Sequence, residues 1–197
     1  MNLPTESLRE SILSRFGKIA HDPGAEKMFP VGVASARKLG YPSPELDALP
    51  SRVTESFCGV GHPLGLGEIR AGQTVLDLGS GAGLDSLLAA KIVGPTGKGI
   101  GIDLCENMIA KARHNARLLG LENLEFHQSE IEALPLSDES VDVVISNGVL
   151  NLCPEKRKVL GEVYRVLRPG GRLQMADILL EEGVSPEEVA RVGCWSD

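Results

Sequence analysis

The stretch Val75-Leu-Asp-Leu-Gly-Ser-Gly-Ala-Gly83 limits what this chain can fold into more than any other segment. Thr74–Leu78 is a short apolar run suited to a buried strand. Over Gly83–Val93, Leu84, Leu87, Leu88 and Ile92 recur at helical spacing, and Gly94-Pro95 stops the helix. Glycines stand between the two elements at alternate positions, Gly79, Gly81 and Gly83, behind the acidic Asp77. A strand that turns into a helix through glycines lets the backbone come close to a ligand. The helix N-terminus then offers free N–H groups to a carboxylate or other anion.

The same alternation runs on through the chain. Strands are expected at Lys98–Asp103, Leu124–His127, Val141–Ser146 and Arg172–Leu180. Helices are expected at Glu106–Leu119, with Ile109, Ala112, Ala116 and Leu119 inward, and at Pro154–Leu167, with Val159, Val163, Val166 and Leu167 inward. Such βαβ units predict an α/β fold: a doubly wound, mainly parallel sheet with helices on both faces. Ahead of it, residues 5–20 read as a helix through Leu8, Ile12, Leu13 and Phe16. Residues 21–67 hold many Pro and Gly and one short helical candidate, Val33–Leu39. The expected division is a lid-like extension over 1–67 and a cofactor-binding domain over 68–197.

Charge and cysteine use exclude several classes. At 197 residues the length suits one domain. A net charge of −7 argues against nucleic acid as a partner, since phosphate binding needs a basic face. No run of 18 apolar residues predicts a membrane span. The opening Met1-Asn-Leu-Pro-Thr-Glu6 lacks the features of a secretory signal, so a cytoplasmic location is expected. Cys58, Cys105, Cys153 and Cys194 form no CxxC pair and match no zinc spacing, so they are read as free thiols with no metal centre.

The glycine loop is compatible with several nucleotide folds, and its neighbours discriminate among them. A P-loop needs Gly-Lys-Ser/Thr, which is absent. A dinucleotide fingerprint needs Gly or Ala where Leu84 stands. Asp103 ends the next strand, placed for ribose hydroxyls, and Glu130 follows the third strand. Asp77-Leu-Gly-Ser-Gly-Ala-Gly83 resembles the first motif of class I S-adenosylmethionine-dependent methyltransferases. Gly101-Ile-Asp103, Gln128-Ser-Glu130-Ile-Glu-Ala-Leu-Pro135, Val141-Asp-Val-Val-Ile-Ser-Asn147 and Leu167-Arg-Pro-Gly-Gly171 resemble the segments that follow it in that family. Glu130 departs from the usual Asp. The resemblance implies a Rossmann-like fold and an S-adenosylmethionine site made by Asp77, Gly79, Ser80, Gly81, Gly83, Asp103, Leu104, Met108, Glu130, Ile131 and Asn147.

The resemblance narrows to arsenite methyltransferases through Phe16-Gly-Lys-Ile-Ala20, Gly40-Tyr41, Glu45 and Leu49-Pro50. Gly59-Val60-Gly61-His62-Pro63 is similar to the family's Gly-Cys-Gly-Asn-Pro loop, and Ser146-Asn-Gly148-Val-Leu-Asn-Leu152 to its Ser-Asn-Cys-Val-Ile-Asn-Leu. It implies a soft trivalent arsenic acceptor held by thiolates. Val60 and Gly148 stand at two of those cysteine positions. Cys58 is a candidate substitute, His62 a candidate base and Asn147 a candidate wall of the acceptor pocket. The family's Trp-x-x-Cys segment is represented only as far as Trp195-Ser-Asp197. The expectation is therefore a sheet incomplete after strand five, with selenocysteine encoded at position 198. Three functions stay open: methylation of arsenite, methylation of a small carbon or oxygen acceptor of the quinone type, and cofactor binding without turnover.

Overall fold

In the computed structural model, which describes residues 5–179 and Gly183, those residues run through seven α-helices and five strands. The N-terminal segment supplies α1 (Thr5–His21), α2 (Val33–Lys38), α3 (Ser43–Asp47) and α4 (Ser51–Thr54). Then come β1 (Thr74–Leu78), α5 (Leu84–Val93), β2 (Lys98–Asp103), α6 (Glu106–Leu118), β3 (Leu124–Gln128), β4 (Val141–Asn147), α7 (Lys156–Val166) and β5 (Leu167–Ala176). The strands form one sheet in the order β3-β2-β1-β4-β5, and every pairing is parallel. Winding runs outward from β1 to β3, then crosses back to β4 on the other side of β1. Ligands of open α/β sheets bind where the order reverses, beyond the C-terminal ends of the strands. Here that place lies after Leu78 and Asn147.

Both faces of the sheet are covered, so β1 and β4 are apolar runs without polar alternation. The two-residue period of a strand sends Leu76 and Val144 to one face, where they pack with Val159, Val163 and Val166 of α7. Val75, Val143 and Ile145 face the other way, against Ala89 and Val93 of α5. Asp77 shares that second face and is buried under α5, where the Ser86 hydroxyl donates to it at 2.5 Å. The N-terminal helices share this core: Ala36, Tyr41, Leu46, Val53 and Phe57 cluster with Leu84, Leu87 and Leu88 of α5 and Ile109 and Ala112 of α6. Ile19 and Ala20 of α1 pack on Met108 of α6. No helix among the described residues is long and apolar enough to cross a membrane.

Several expected boundaries move. α3 and α4 lie in the segment expected to hold a single helix; Pro42 and Pro50 precede them with φ of −61° and −57° already set for helix entry. Ile92 is 43% exposed, and Leu119 is half-buried beyond the end of α6. β5 begins at Leu167 rather than Arg172 and ends at Ala176. Val141 pairs with Leu167 while Val143 pairs with Arg172, so Arg168-Pro-Gly-Gly171 is a bulge inside the strand rather than a turn before it. Cys194, Trp195, Asp197 and the expected selenocysteine beyond them lie outside the described residues.

Leu87 is wholly buried between α5 and the N-terminal helices, whereas Ile92 meets water. Leu87→Ala is therefore expected to lower unfolding free energy by about 2–5 kcal/mol, and Ile92→Ala by well under half of that. Urea denaturation followed by circular dichroism measures both.

Candidate active site

The glycine loop is built from two kinds of glycine. Gly79 has φ +64°, and a Cβ there would stand 2.4 Å from a Val149 methyl, so packing as well as backbone conformation demands glycine. Gly81 has φ +52°, and a Cβ there would meet nothing within 4 Å. It is the residue of the loop that leaves space open. The loop is fastened by its neighbours: Ser80 N–H donates to the Ile102 carbonyl at 2.9 Å, and the buried Asn115 of α6 donates to the Ala82 carbonyl at 3.0 Å. Asp103, at the tip of β2, accepts from Gly81 N–H and from Cys105 N–H, each at 2.8 Å. One carboxylate thus ties β2, the glycine loop and the start of α6. Each of its oxygens keeps a lone pair for a further donor such as a hydroxyl.

A cleft of about 1200 Å³, counting its open mouth, lies beside this loop. Asp77, Gly79, Ser80, Gly81, Gly83, Asp103, Leu104, Glu130, Ile131, Asn147 and Cys58 line it together, so most of the residues expected at one site do meet. Met108 does not: the first turn of α6 aims it at α1, where it is buried on Ile19 and Ala20. His62 does not line it either. Its ring lies on Tyr41, centroids 4.1 Å apart at 40°, at the head of the turn Pro63–Leu66. Ile12, Leu13 and Phe16 of α1 form an apolar wall, and Arg9 pairs with Glu130 at 2.8 Å across the mouth. The cleft suits a nucleoside-sized group: it has apolar walls, an open position at Gly81, and a buried Ser80 hydroxyl left without a partner.

The thiols at the cleft are protonated at neutral pH. Cys58, Cys105 and Cys153 all line it. Burial pushes the Cys58 thiol up to about 12, with Asp103 adding to the shift, and burial pushes Cys153 up to about 12 as well. The Cys153 thiol donates to the Val149 carbonyl at 3.3 Å. Val60 and Gly148 adjoin each other: a Cβ at Gly148 would stand 3.1 Å from a Val60 methyl. The two positions therefore form an apolar contact. Among the described residues, no group of three or more His, Cys, Asp or Glu side chains is placed to hold a metal ion.

Sequence reasoning gives no site role to Asp85, Ser86 or Asn115, nor to Tyr41, which enters it only as part of the resemblance. Asn147 lines the cleft as expected, yet its amide is committed elsewhere. Its Oδ1 accepts from Val60 and Gly61 N–H at 2.8 and 3.0 Å, and its Nδ2 donates to the Gly61 carbonyl and to Asp85 at 3.0 Å each. The Tyr41 hydroxyl donates to the other Asp85 oxygen at 2.5 Å. One signal was visible in advance: Asp85 is a charge in the first turn of the otherwise apolar helix Leu-Asp-Ser-Leu-Leu-Ala-Ala.

Burial raises the carboxyls of Asp77, Asp85 and Asp103, and for Asp77 the neighbouring Asp85 raises it further. The folded chain therefore keeps these protons to higher pH than the unfolded chain does. The stability they contribute is present below about 3.8 and is lost as pH rises through the folded values. Asp77→Asn removes one such group. Its stability relative to the parent, from urea denaturation, is expected to improve as pH rises above about 4; a pH-independent difference would contradict this. Gly81→Ala carries only the left-handed backbone strain, about 1–2 kcal/mol. It is expected to fold while filling the open position, so that ligand affinity falls at least about tenfold by calorimetry.

Comparison with known proteins agrees with this geometry. A family model described as a methyltransferase domain matches residues 69–194. The chain is 47% identical over 146 residues to an arsenite methyltransferase of Halobacterium salinarum, covering 74% of this chain and 37% of that protein. It is 33% identical over 187 residues to an arsenite methyltransferase of Aquipseudomonas alcaligenes, covering 91% and 53%. The crystal structure of an arsenic(III) S-adenosylmethionine methyltransferase from Chlamydomonas reinhardtii superimposes with a TM-score of 0.63 at 40% identity, covering 73% of this chain and 48% of that one. The chain spans about half or less of the length of these relatives. The parallel sheet, the glycine loop at its switch point and the matched family model together show that this chain belongs to the methyltransferase-domain family.

Proposed function

We propose that this chain is the S-adenosylmethionine-binding part of an enzyme that methylates trivalent arsenic. One observation carries the reading: similarity to the Aquipseudomonas alcaligenes arsenite methyltransferase covers nine-tenths of the chain, and so includes the N-terminal segment that walls the cleft as well as the glycine loop. The backbone at Gly79–Gly83 would hold the methionine part, Asp103 the ribose hydroxyls, and Glu130 with Ile131 the adenine. Residues 1–67 serve as the lid over 68–197. When bound, S-adenosylmethionine supplies an electrophilic methyl group on a sulfonium centre. The chain's own task is to position and to exclude water. Ile12, Leu13 and Phe16 do the second, and the loop between Phe57 and Pro63 faces the acceptor side. An arsenic or thiol acceptor needs no strong general base, which fits a cleft that His62 does not line. A cytoplasmic setting, where thiols stay reduced, fits as well.

A second reading, a small carbon or oxygen acceptor, is favoured by the apolar Val60–Gly148 contact, where a soft ion would find no sulfur. Calorimetry with S-adenosylmethionine and a methylation assay on arsenite separate the readings. Binding is expected, and Asp103→Asn should weaken it about 10–100-fold. Methylated arsenic as product supports the first reading; turnover only with a carbon or oxygen acceptor supports the second. Binding without turnover leaves a cofactor-binding module, and no binding overturns all three.

A further inference from the structure

Three segments distant in sequence converge on one buried carboxylate. Asp85 is the second residue of α5, immediately after the glycine loop, and is 6% exposed. One oxygen accepts from the Tyr41 hydroxyl at 2.5 Å, and the other from the Asn147 amide at 3.0 Å. Asn147 in turn grips the loop on the acceptor side through Val60 N–H, Gly61 N–H and the Gly61 carbonyl. The fit is close: a Cβ at Gly59 would stand 2.4 Å from the Asn147 nitrogen, and one at Gly61 would stand 2.5 Å from Ala176. Tyr41 is fixed in turn by an edge-on contact with Phe57, centroids 5.2 Å apart, and by the His62 ring.

The chemistry at position 85 is specific. Both donors are neutral, and each takes a different oxygen of Asp85. A carboxylate accepts from both at once, whereas an amide has one oxygen to offer and would have to donate to the Tyr41 oxygen, which already takes the Asn147 amide at 3.1 Å. Buried carboxylates answered by neutral donors alone are costly. A joint meant only for stability is met more cheaply by an apolar contact of similar volume.

We propose that Asp85 is a positioning residue that couples the two sides of the cleft: through Asn147 it holds residues 59–61, and through the start of α5 it senses the glycine loop. Filling the cofactor side then tightens the acceptor side, so that the loop closes on its acceptor only when the methyl donor is in place. This rests on the S-adenosylmethionine reading above.

Amide hydrogen exchange tests it, with S-adenosylhomocysteine as the probe ligand and Asp85→Asn and Tyr41→Phe as variants. In the parent chain, saturating ligand is expected to slow exchange at Gly81 and also at Val60 and Gly61. In Asp85→Asn, exchange at Val60 and Gly61 rises about tenfold or more without ligand, and ligand protects Gly81 alone. Protection of Leu76 in β1 reports that the variant is folded; if it is lost, Tyr41→Phe, which removes one donor and keeps the carboxylate, carries the comparison with the same expected split. Ligand protection of Val60 and Gly61 that survives in a folded variant overturns the coupling. Absence of protection at Gly81 in the parent overturns the cofactor reading instead, and with it this inference.

Discussion

The bond from Gly81 N–H to the Asp103 carboxylate, 2.8 Å long, sets the shape of the whole site. Tight strand-to-helix turns are common, but a turn that leaves a cleft open needs its apex pulled away from the space. Asp103 supplies that pull from the neighbouring strand, and its second oxygen starts α6 through Cys105 N–H. Gly79 packs against Val149 on the far side, so the loop is held from both β2 and the segment after β4. The sheet's reversal of winding puts these two anchors on opposite sides of β1. Position and charge then follow from topology: a carboxylate with spare lone pairs faces a cleft walled by apolar side chains.

The elements were legible where periodicity was strong. β1, α5, β2 and β4 lie within a residue of their expected bounds, because buried parallel strands read as continuous apolar runs. The N-terminal segment was less legible. α3 and α4 span five and four residues, too short for a periodic pattern to emerge. The bulge at Arg168–Gly171 reads as a turn in sequence because the same Pro-Gly chemistry serves both. Ile92 shows the limit of a spacing argument. Nearly all of α5 is buried, so an apolar residue at the right interval identifies no face.

The site divides in the same way. Residues that answer to a local pattern, such as Gly79, Gly81 and Asp103, stand where the pattern puts them. Met108 answers to the resemblance alone, and the pitch of α6 carries it out of the cleft to α1. His62 has the chemistry of a base, and a ring contact with Tyr41 holds it aside. Tyr41, Asp85 and Asn147 meet across 106 residues of chain, and such a meeting leaves no mark in local spacing. The network they form nevertheless connects the loop at residues 59–61 to the start of α5. It also gives Asn147 a different task from the one its place at the end of β4 suggests.

The central claim is that one cleft holds a nucleoside between Asp103 and Glu130 with the glycine loop beneath it. A crystal structure of this chain with S-adenosylhomocysteine tests that most directly. The account predicts the ribose hydroxyls on Asp103, the adenine beside Glu130 and Ile131 with Arg9 drawn off its carboxylate partner, and the amino-acid part over Gly79–Gly83. Ligand bound elsewhere on the molecule, or an Arg9–Glu130 pair still closed over an empty cleft at saturating ligand, would contradict it.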